Sequence, residues 1–385
     1  MRLNILVYTN FYPAPEALNT PKDTLIIHYF VKELQKAGHR VQVVFLVVDR
    51  IYDLLKGGFK YIRPNITDYT YDGVSVHLIH TNNVISLHRA YPEDFQARSI
   101  NAELKKFKQG LGWKADKIFI HFPTVFTGIT EALEEGVPSL GDFHNMDIKF
   151  LNRKNGARSA QFIRRIKTWG YRNKRVYSGL RKIEEREMVR TYSGIDPSIL
   201  MPEDQLRRKA ERRSETMRIL FAGRLLALKN VDKLVEAVKG LSFPCSLTIV
   251  GDGPEMEKLK AMSAGVPNIR MTGQLPRAET IEQMKEADVF IMLSSPETYG
   301  LVYLEAMAQG CVTAASLGEG FDGIITDHVD GFLEAPGSAE AAKRVLEEIH
   351  GLSPEQKKSL ILNGYALAAS MTEEKTAQRF LEANH

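Results

Sequence analysis

The sequence predicts an α/β protein with two Rossmann-like, doubly wound parallel-sheet domains that face a cleft. Three observations support this: strand-like and helix-like segments alternate along the first half, the alternation stops in a charged stretch, and it then restarts. The 385 residues also suit two domains of roughly 150–200 residues better than one core. We predict an N-terminal domain over 1–202, a linker over 203–216 and a C-terminal domain over 217–369.

The first half opens with a buried strand at 2–10, "RLNILVYTN", rich in Ile, Leu, Val and Tyr. Residues 25–38 have apolar residues at helical spacing and end with a glycine. Further elements follow in the same alternation: predicted strands at 40–48, 74–80, 117–122 and 138–143, and predicted helices at 102–111 and 127–136.

The second half repeats the pattern after "PEDQLRRKAERRSET", which is charged and lacks apolar periodicity. Each predicted strand ends in a turn with Gly or Pro and is followed by a helical segment; these strands lie within 217–225, 246–254, 268–275 and 288–296. Because open α/β sheets bind ligands at the carboxyl ends of their strands, we expect a site there, in a cleft between the domains.

Composition excludes several classes of protein. Apolar residues make up 44% and charged residues 25%, as in ordinary globular proteins. Cys245 and Cys311 are the only cysteines, so we expect no disulfide framework. No apolar h-region follows Met1, and no apolar run approaches the ~18–20 residues of a membrane span. We expect a cytoplasmic protein that can associate peripherally with the inner face of a membrane.

Positive charge is concentrated in one stretch. Residues 149–190 contain fourteen Lys or Arg and three Glu, a local charge of +11, whereas the whole chain carries +4. A solvated helix face and a patch for an anionic membrane surface both explain this run. Trp169 and Tyr171 inside it suit either an interface or the core. No aromatic-and-basic motif for bases accompanies it, so we predict no nucleic-acid partner.

Two turns in the second half carry phosphate-binding features. In "FAGRLLALKN", Arg224 and Lys229 follow a strand end, and such cations bind phosphate by charge-assisted hydrogen bonds. They could equally be two surface cations beside a turn. "VGDGP" is a tight turn, but Met256 occupies the third glycine position of a dinucleotide fingerprint, which argues against NAD or FAD. A structural turn and a ligand contact remain open for it.

The stretch "SSPETYGLVYLEAMAQG" contains a loop and an almost wholly apolar helix that begins near Gly300. The free N–H groups of a helix N-terminus favour phosphate. Glu305 falls one turn into this buried helix, and a buried carboxylate needs a partner. Hydroxyl groups of a sugar would suit it, and so would a basic residue of the core, with Glu297 then simply exposed.

"ETYGLVYLEAMAQG" resembles the E-x7-E signature of the retaining GT-B glycosyltransferases of family GT4, also called glycosyl transferases group 1. "YSGIDPSILMP", "FAGRLLALKN", "VGDGP", "TGQL" and "GEGFDGIITDHVDGFL" resemble the family's other segments, in the same order. The resemblance covers nearly the whole chain and is strongest over 192–333. It implies a GT-B fold, and a final helix over 370–385 that returns to the first domain.

The resemblance also implies roles for particular residues. Arg224 and Lys229 would bind the donor diphosphate, Glu305 the ribose and Glu297 the transferred sugar, with Glu297 counted as catalytic. Backbone groups would contribute around the phosphates and the base; these are expected at Tyr299, Gly300, Leu301 and Val302, and at Gly273 and Leu275.

In the first domain, "GDFHNMD" resembles the family stretch that reaches the donor sugar, which nominates His144 as catalytic with Asn145 beside it. "IHFPT" places His121 on the acceptor side. A hydrogen-bonded histidine at a strand end is the alternative for His144. Two features depart from the family: the loop over 11–24 lacks glycine, and Gly323 stands where many members carry Glu.

The resemblance therefore implies a retaining hexosyltransferase that uses a nucleotide-sugar, a UDP-sugar by family frequency, and a glycan or lipid-linked acceptor in surface polysaccharide or glycolipid synthesis. The sequence contains no Asp-x-Asp pair to hold a metal on the diphosphate, so we expect metal-independent transfer without a resident cofactor. A catalytically silent sugar-nucleotide-binding subunit and a sugar-nucleotide epimerase of the same fold are the alternatives.

Overall fold

A computed structural model of the chain describes residues 1–15, 25–50, 65–83, 94–153 and 156–382. The chain divides into two units. The first comprises residues 1–172, 176–192 and 373–385, and the second residues 173–175 and 193–372. The last predicted helix thus belongs to the first unit, where Phe380 packs on Phe30 and Phe119.

The first unit is built on an eight-stranded sheet with helices on its faces. Its elements are β1 (Asn4–Thr9), α1 (Ile26–Lys36), β2 (Arg40–Arg50), β3 (Asn65–Tyr71), β4 (Val74–Asn83), α2 (Asp94–Gly110), β5 (Lys117–His121), β6 (Ser139–Phe143), α3 (Asn145–Leu151), α4 (Gly156–Ile163), β7 (Thr168–Tyr171), α5 (Lys174–Arg181), which starts in the second unit, β8 (Met188–Arg190) and α13 (Glu373–Glu382).

Strand order in this sheet is β3-β4-β2-β1-β5-β6-β7-β8. Alternate residues of β1 enter different cores: Leu6 and Tyr8 pack on one face, and Ile5 and Val7 on the other. A strand that is apolar on both sides is typical of a sheet covered on both faces. The order reverses between β1 and β5, which is a topological switch point.

The second unit carries a six-stranded sheet, all of it parallel, in the order β11-β10-β9-β12-β13-β14. Its elements are α6 (Glu203–Glu211), β9 (Met217–Ala222), α7 (Val231–Lys239), β10 (Cys245–Val250), α8 (Met256–Ser263), β11 (Ile269–Gly273), α9 (Arg277–Glu286), β12 (Val289–Met292), α10 (Leu301–Ala308), β13 (Val312–Ser316), β14 (Phe332–Glu334), α11 (Ala339–His350) and α12 (Pro354–Ser370).

The two sheets confirm the predicted fold class, with one correction. β3 runs antiparallel to β4, so the first sheet is not wholly parallel. The cause is the turn between them, in which Asp72 and Gly73 both have positive φ, +45° and +74°. Such a turn connects adjacent antiparallel strands directly.

Two other segments differ from their predictions. The predicted helix at 127–136 forms only a short 3-10 turn at Thr130–Ala132, because Asn101 of α2 hydrogen-bonds its backbone at Gly128 and Glu131. Within the predicted linker at 203–216, residues 203–211 form α6, and Leu206 is buried in the second unit. Most residues of α6 are charged, so the sequence shows no apolar periodicity from which the packing of Leu206 could be predicted.

Trp169, which suits either an interface or the core, is fully buried in the first unit. In the described part of the chain, no helix combines the length and apolarity that crossing a membrane requires.

Candidate functional site

The second sheet reverses its strand order between β9 and β12, and the predicted donor residues gather at that point. Arg224 follows the carboxyl end of β9, and Glu297 follows that of β12. Ligands of open α/β sheets bind beside such a reversal. A cavity of about 980 Å³ opens there.

The turn "VGDGP" forms part of this cavity and also has a structural role. A Cβ on Gly251 would lie 1.9 Å from the carbonyl oxygen of Gly223, and one on Gly253 would lie 2.4 Å from that of Leu225. Both glycines also have positive φ. Glycine is therefore required because the β10 turn packs directly on the backbone that presents Arg224.

Most predicted donor residues line the cavity. These are Arg224, Lys229, Leu275, Glu297, Gly300, Leu301, Val302 and Glu305. Gly273 and Tyr299 are absent from the lining; Tyr299 is buried, and its hydroxyl donates to the carbonyl of Ser193 at 2.9 Å. Arg277 is a further lining cation that the sequence pattern did not indicate.

Glu297 is held by its own loop and by Lys229. Lys229 Nζ lies 2.5 Å from Oε2, and Ser294 Oγ donates to the same oxygen at 3.0 Å. The N–H of Thr298 donates to Oε1 at 3.0 Å. Glu297 is thus not the simply exposed residue of the alternative interpretation, and a ligand phosphate would share Lys229 with it.

Glu305 pairs with Arg277, the first residue of α9. Both Nε and Nη2 of Arg277 donate to Oε1, at 3.0 and 2.9 Å. The alternative interpretation of Glu305 expected a partner in the core. Arg277 instead lies at the cavity and is about half exposed, so this partner does not remove Glu305 from a ligand.

A second carboxylate, that of Glu319, holds the loop that carries Glu297. Glu319 is nearly buried, and its Oε2 accepts from the N–H of Glu297 at 2.8 Å. Its Oε1 accepts from Ser295 Oγ at 2.7 Å and from Arg175 at 3.2 Å. Sequence reasoning missed Glu319, although its position just after β13 places it at the same edge of the sheet.

The remaining nominated residues lie in the first unit, at the carboxyl ends of β5 and β6. His121 ends β5 and is buried, with Nδ1 3.1 Å from Thr9 Oγ1. Burial, reinforced by the nearby His144 and Arg172, holds the pKa of His121 well below its usual value. Asp142 of β6 is fully buried and bonded by the guanidinium of Arg172.

His144 precedes α3, and three contacts fix it. Its Nε2 lies 3.3 Å from Asp142 Oδ2, its ring stacks on Phe122 at 4.1 Å, and its N–H donates to Asp147 at 2.8 Å. His144 is therefore a hydrogen-bonded histidine at a strand end, as the alternative interpretation states. These bonds are also compatible with a catalytic role. Asn145, the first residue of α3, is partly buried.

Among the described residues, one group has candidate ligand atoms close enough together to hold a metal ion. Its members are His121, Asp142 and His144, whose ligand atoms lie within 4.8 Å of one another. Asp142 Oδ1 already accepts from Arg172 at 2.9 Å and from Thr191 at 2.6 Å. Its Oδ2 is bonded by Arg172 and His144. A buried guanidinium on both oxygens repels a cation, so these residues fit a hydrogen-bond network better than a metal.

The charges of the second-unit cavity decide what it can bind. Its lining holds three cations, Arg224, Lys229 and Arg277, and three carboxylates, Asp252, Glu297 and Glu305. The start of α10 adds the partial positive charge of a helix N-terminus. Such a site suits a ligand that carries both anionic groups and hydroxyl donors. Residues 16–24 of the glycine-free loop in the first unit lie outside the described residues.

Solved structures share this fold at low sequence identity. The crystal structure of Anabaena Alr3699/HepE in complex with UDP matches with a TM-score of 0.69 and 14% identity, covering 100% of this chain and 99% of that one. Sucrose-phosphate synthase (tll1590) of Thermosynechococcus elongatus matches with a TM-score of 0.66 and 16% identity, covering 99% and 98%. The predicted GT-B fold is confirmed.

Curated relatives match parts of the chain. Sulfoquinovosyl transferase SQD2 of Arabidopsis thaliana is 34% identical over 125 residues, which are 32% of this chain and 24% of that protein. Alpha-monoglucosyldiacylglycerol synthase of Streptococcus pneumoniae is 28% identical over 41% of this chain and 35% of that protein. D-rhamnosyltransferase WbpZ of Pseudomonas aeruginosa is 28% identical over 65% and 68%.

The chain spans only 24% to 43% of the length of the first curated relatives it matches. The family model for glycosyl transferases group 1 matches residues 202–366, which include the whole second-unit cavity. Over these residues the chain is similar to the glycosyl transferases group 1 family.

Proposed function

We propose that this protein transfers a hexosyl unit from a nucleotide-sugar to a glycan or lipid-linked acceptor. The observation that carries the proposal is the cavity at the β9/β12 switch point, where cations, a helix N-terminus and three carboxylates, Glu297 and Glu305 among them, line one space. The diphosphate of the donor binds Arg224, Lys229 and the N–H groups at the start of α10. Glu305 accepts from the ribose hydroxyls, and Glu297 accepts from the transferred sugar.

Transfer breaks the bond between the sugar and the diphosphate, so negative charge develops on the leaving group. Arg224, Lys229 and the helix N-terminus stabilise that charge without a metal ion in our proposal. His144 acts at the reacting centre, with Asn145 beside it and His121 on the acceptor side. These three roles, and retention of the anomeric configuration, rest on the family resemblance.

UDP-hexose is the donor we propose first. UDP and UDP-glucose are bound in crystal structures of Anabaena HepE, which shares the fold. A lipid-linked acceptor is supported by relatives whose names refer to diacylglycerol and to lipopolysaccharide core synthesis. We place the reaction in surface polysaccharide or glycolipid synthesis.

The test is donor turnover by the purified protein. UDP- and GDP-sugars are supplied singly, release of the nucleoside diphosphate is measured, and nucleotide affinity is determined by calorimetry. We expect turnover with at least one donor. Glu297→Gln and His144→Ala should each lower it by about 10²-fold or more, since they remove groups at the reacting centre. Arg270→Ala, outside the cavity lining, is the control and should leave it unchanged.

Three results separate the alternatives. Absence of both turnover and nucleotide binding would contradict the proposal. Tight nucleotide binding without turnover, unaffected by Glu297→Gln or His144→Ala, would indicate a catalytically silent binding subunit. Conversion of the donor sugar to its epimer, without release of nucleotide, would indicate an epimerase.

The basic run supports a proposed association with an anionic membrane surface. Many of its cations are used within the protein, but Arg165, Lys167 and Lys182 of the first unit are exposed. Arg164 and Arg181 are exposed as well, in surface pairs with Glu184 and Glu185. Each cation near an anionic surface contributes about 1 kcal/mol. Co-sedimentation with phosphatidylserine vesicles but not with phosphatidylcholine vesicles is expected, and equal recovery with both would contradict it.

A further inference from the structure

The cations that pair with Glu297 and Glu305 lie at different places along the carboxyl edge of the second sheet. Lys229 follows β9, whereas Arg277 follows β11. β11 and β9 are separated by β10 in the strand order, and neighbouring strands lie about 4.8 Å apart, so the two strand ends are roughly 10 Å apart. A ligand whose diphosphate binds beside β9 therefore extends its nucleoside end toward the part of the cavity where Arg277 holds Glu305.

Arg277 hydrogen-bonds only one of the two carboxylate oxygens of Glu305. Its Nε and Nη2 both donate to Oε1. Among the described residues, no hydrogen bond to Oε2 is found. One oxygen of Glu305 is thus used to orient the carboxylate, and the other remains available as an acceptor facing a ligand in the shared cavity.

We infer that Arg277 is a positioning residue that fixes Glu305 for a ribose diol and thereby sets a preference for ribonucleotides over deoxyribonucleotides. The inference rests on the proposed function, because it takes Glu305 as the ribose acceptor. An ion pair formed before the ligand arrives restricts the Glu305 side chain in advance, so the ligand does not have to order it. Arg277 itself need not touch the nucleotide.

The experiment compares matched ligands on the full chain. Calorimetry gives the dissociation constants of UDP and 2′-deoxy-UDP, and of GDP and 2′-deoxy-GDP. We expect the wild-type protein to prefer the ribose form of the base it binds by roughly 10- to 100-fold, as for a hydrogen bond to a charged acceptor. Glu305→Gln should abolish most of that preference.

Arg277→Ala should lower the ribose-to-deoxyribose preference by about tenfold, with a smaller change in the affinity for the deoxy form. Arg277→Lys retains a donor for Oε1 and should recover part of the preference. In a Glu305→Gln background, Arg277→Ala should have no further effect on the preference, because the two residues act as one unit. Arg270→Ala, an exposed arginine of β11 bonded to Gln283, is the matched control.

Failure of the inference is distinguishable from failure of the proposed function. If Glu305→Gln removes the preference and Arg277→Ala does not, Glu305 keeps its role and the positioning role of Arg277 is overturned. Equal loss of affinity for both ligands in Arg277→Ala also overturns it, since that result indicates direct contact with the nucleotide. A wild-type protein that binds nucleotide without any preference overturns the role of Glu305 itself, and the inference with it.

Discussion

The two units carry charged side chains at the same edge of their sheets, but they pair them differently. In the first unit, Asp142 and Arg172 are 0% and 4% exposed, and Thr191 and His144 complete the bonds of the carboxylate. In the second unit, the Arg277–Glu305 pair lines a cavity, and its arginine is 47% exposed.

This difference in burial indicates that the two ion pairs have different roles. A buried, fully bonded pair cannot exchange partners without leaving a charge unsatisfied, so it holds its neighbours in place. A pair at an open cavity can admit a phosphate or a hydroxyl in place of one partner at little cost. The first-unit network thus positions His144, whereas the second-unit pairs are available to a ligand.

Removing the buried carboxylate should produce the largest effect on stability. Asp142→Asn leaves the charge of Arg172 buried without its partner, which typically costs about 3–5 kcal/mol. Both tryptophans, Trp113 and Trp169, belong to the first unit, so urea unfolding followed by tryptophan fluorescence reports on that unit. We expect a correspondingly lower free energy of unfolding.

The matched control in the same unit is Glu185→Gln, which breaks the exposed pair with Arg181 and should cost at most about 1 kcal/mol. An Asp142→Asn protein as stable as this control would show that the network is not the support we describe. A double substitution, Asp142→Asn with Arg172→Met, should recover part of the loss because the buried guanidinium that lost its partner is removed as well.

The second prediction concerns Glu319, a nearly buried carboxylate that hydrogen-bonds the Glu297 loop of the open site directly. Glu319→Ala removes the acceptor of the Glu297 N–H and of Ser295, so the Glu297 loop should shift. Small displacements of a catalytic group lower turnover by up to about 10²-fold. We expect a 10- to 100-fold lower turnover of the donor, about 1.4–2.7 kcal/mol, and little change in UDP affinity.

Asp322→Asn is the control for Glu319. Asp322 is equally buried in the same loop, and its carboxylate accepts from the N–H of Gly318 and from Lys174. Turnover should stay close to the wild-type value in that variant. Equal losses in both variants would mean that the loop as a whole, rather than the contact with Glu297, is responsible.

Local patterns predicted nine of the fourteen strands in the described residues, but not β3, β7, β8, β13 or β14. They also predicted much of the second-unit site. Arg224 and Glu297 each lie just after a predicted strand, so the parallel topology alone brings them to one edge. The partners that complete the site were not predictable in this way. Arg277 and Glu305 are 28 residues apart, and Asp142 and Arg172 are 30 apart, on elements whose packing no local pattern describes.

The two errors of prediction differ in kind: one has a physical cause outside the local sequence, and the other is a signal that was overlooked. At 127–136 the helical pattern was present, but side-chain hydrogen bonds from Asn101 gave the backbone other partners. The antiparallel β3 was detectable, because Asp72-Gly73 between two strand-like segments is a strong hairpin signal. Positions of His121 and His144 relative to a substrate depend on packing that the sequence does not encode locally.

The smallest expected effect is a pH dependence from His121. Its folded pKa is lowered by burial, with the nearby His144 and Arg172 adding to this and Asp142 opposing it. The unfolded state has the ordinary pKa near 6.5 and therefore binds more protons below that pH. Stability is then fully present above about pH 6.5 and falls as the pH decreases, by at most about 1.4 kcal/mol per pH unit from this residue.

The first unit should accordingly be less stable at pH 5.5 than at pH 7.5 in tryptophan-detected urea unfolding, and His121→Asn should reduce the difference. His28→Asn should reduce it less, because the Asp72 carboxylate partly offsets the lowering of the His28 pKa by burial. His350→Asn, in the second unit, should leave it unchanged. An unaltered difference in His121→Asn would show that burial does not lower the pKa of His121 in the folded protein.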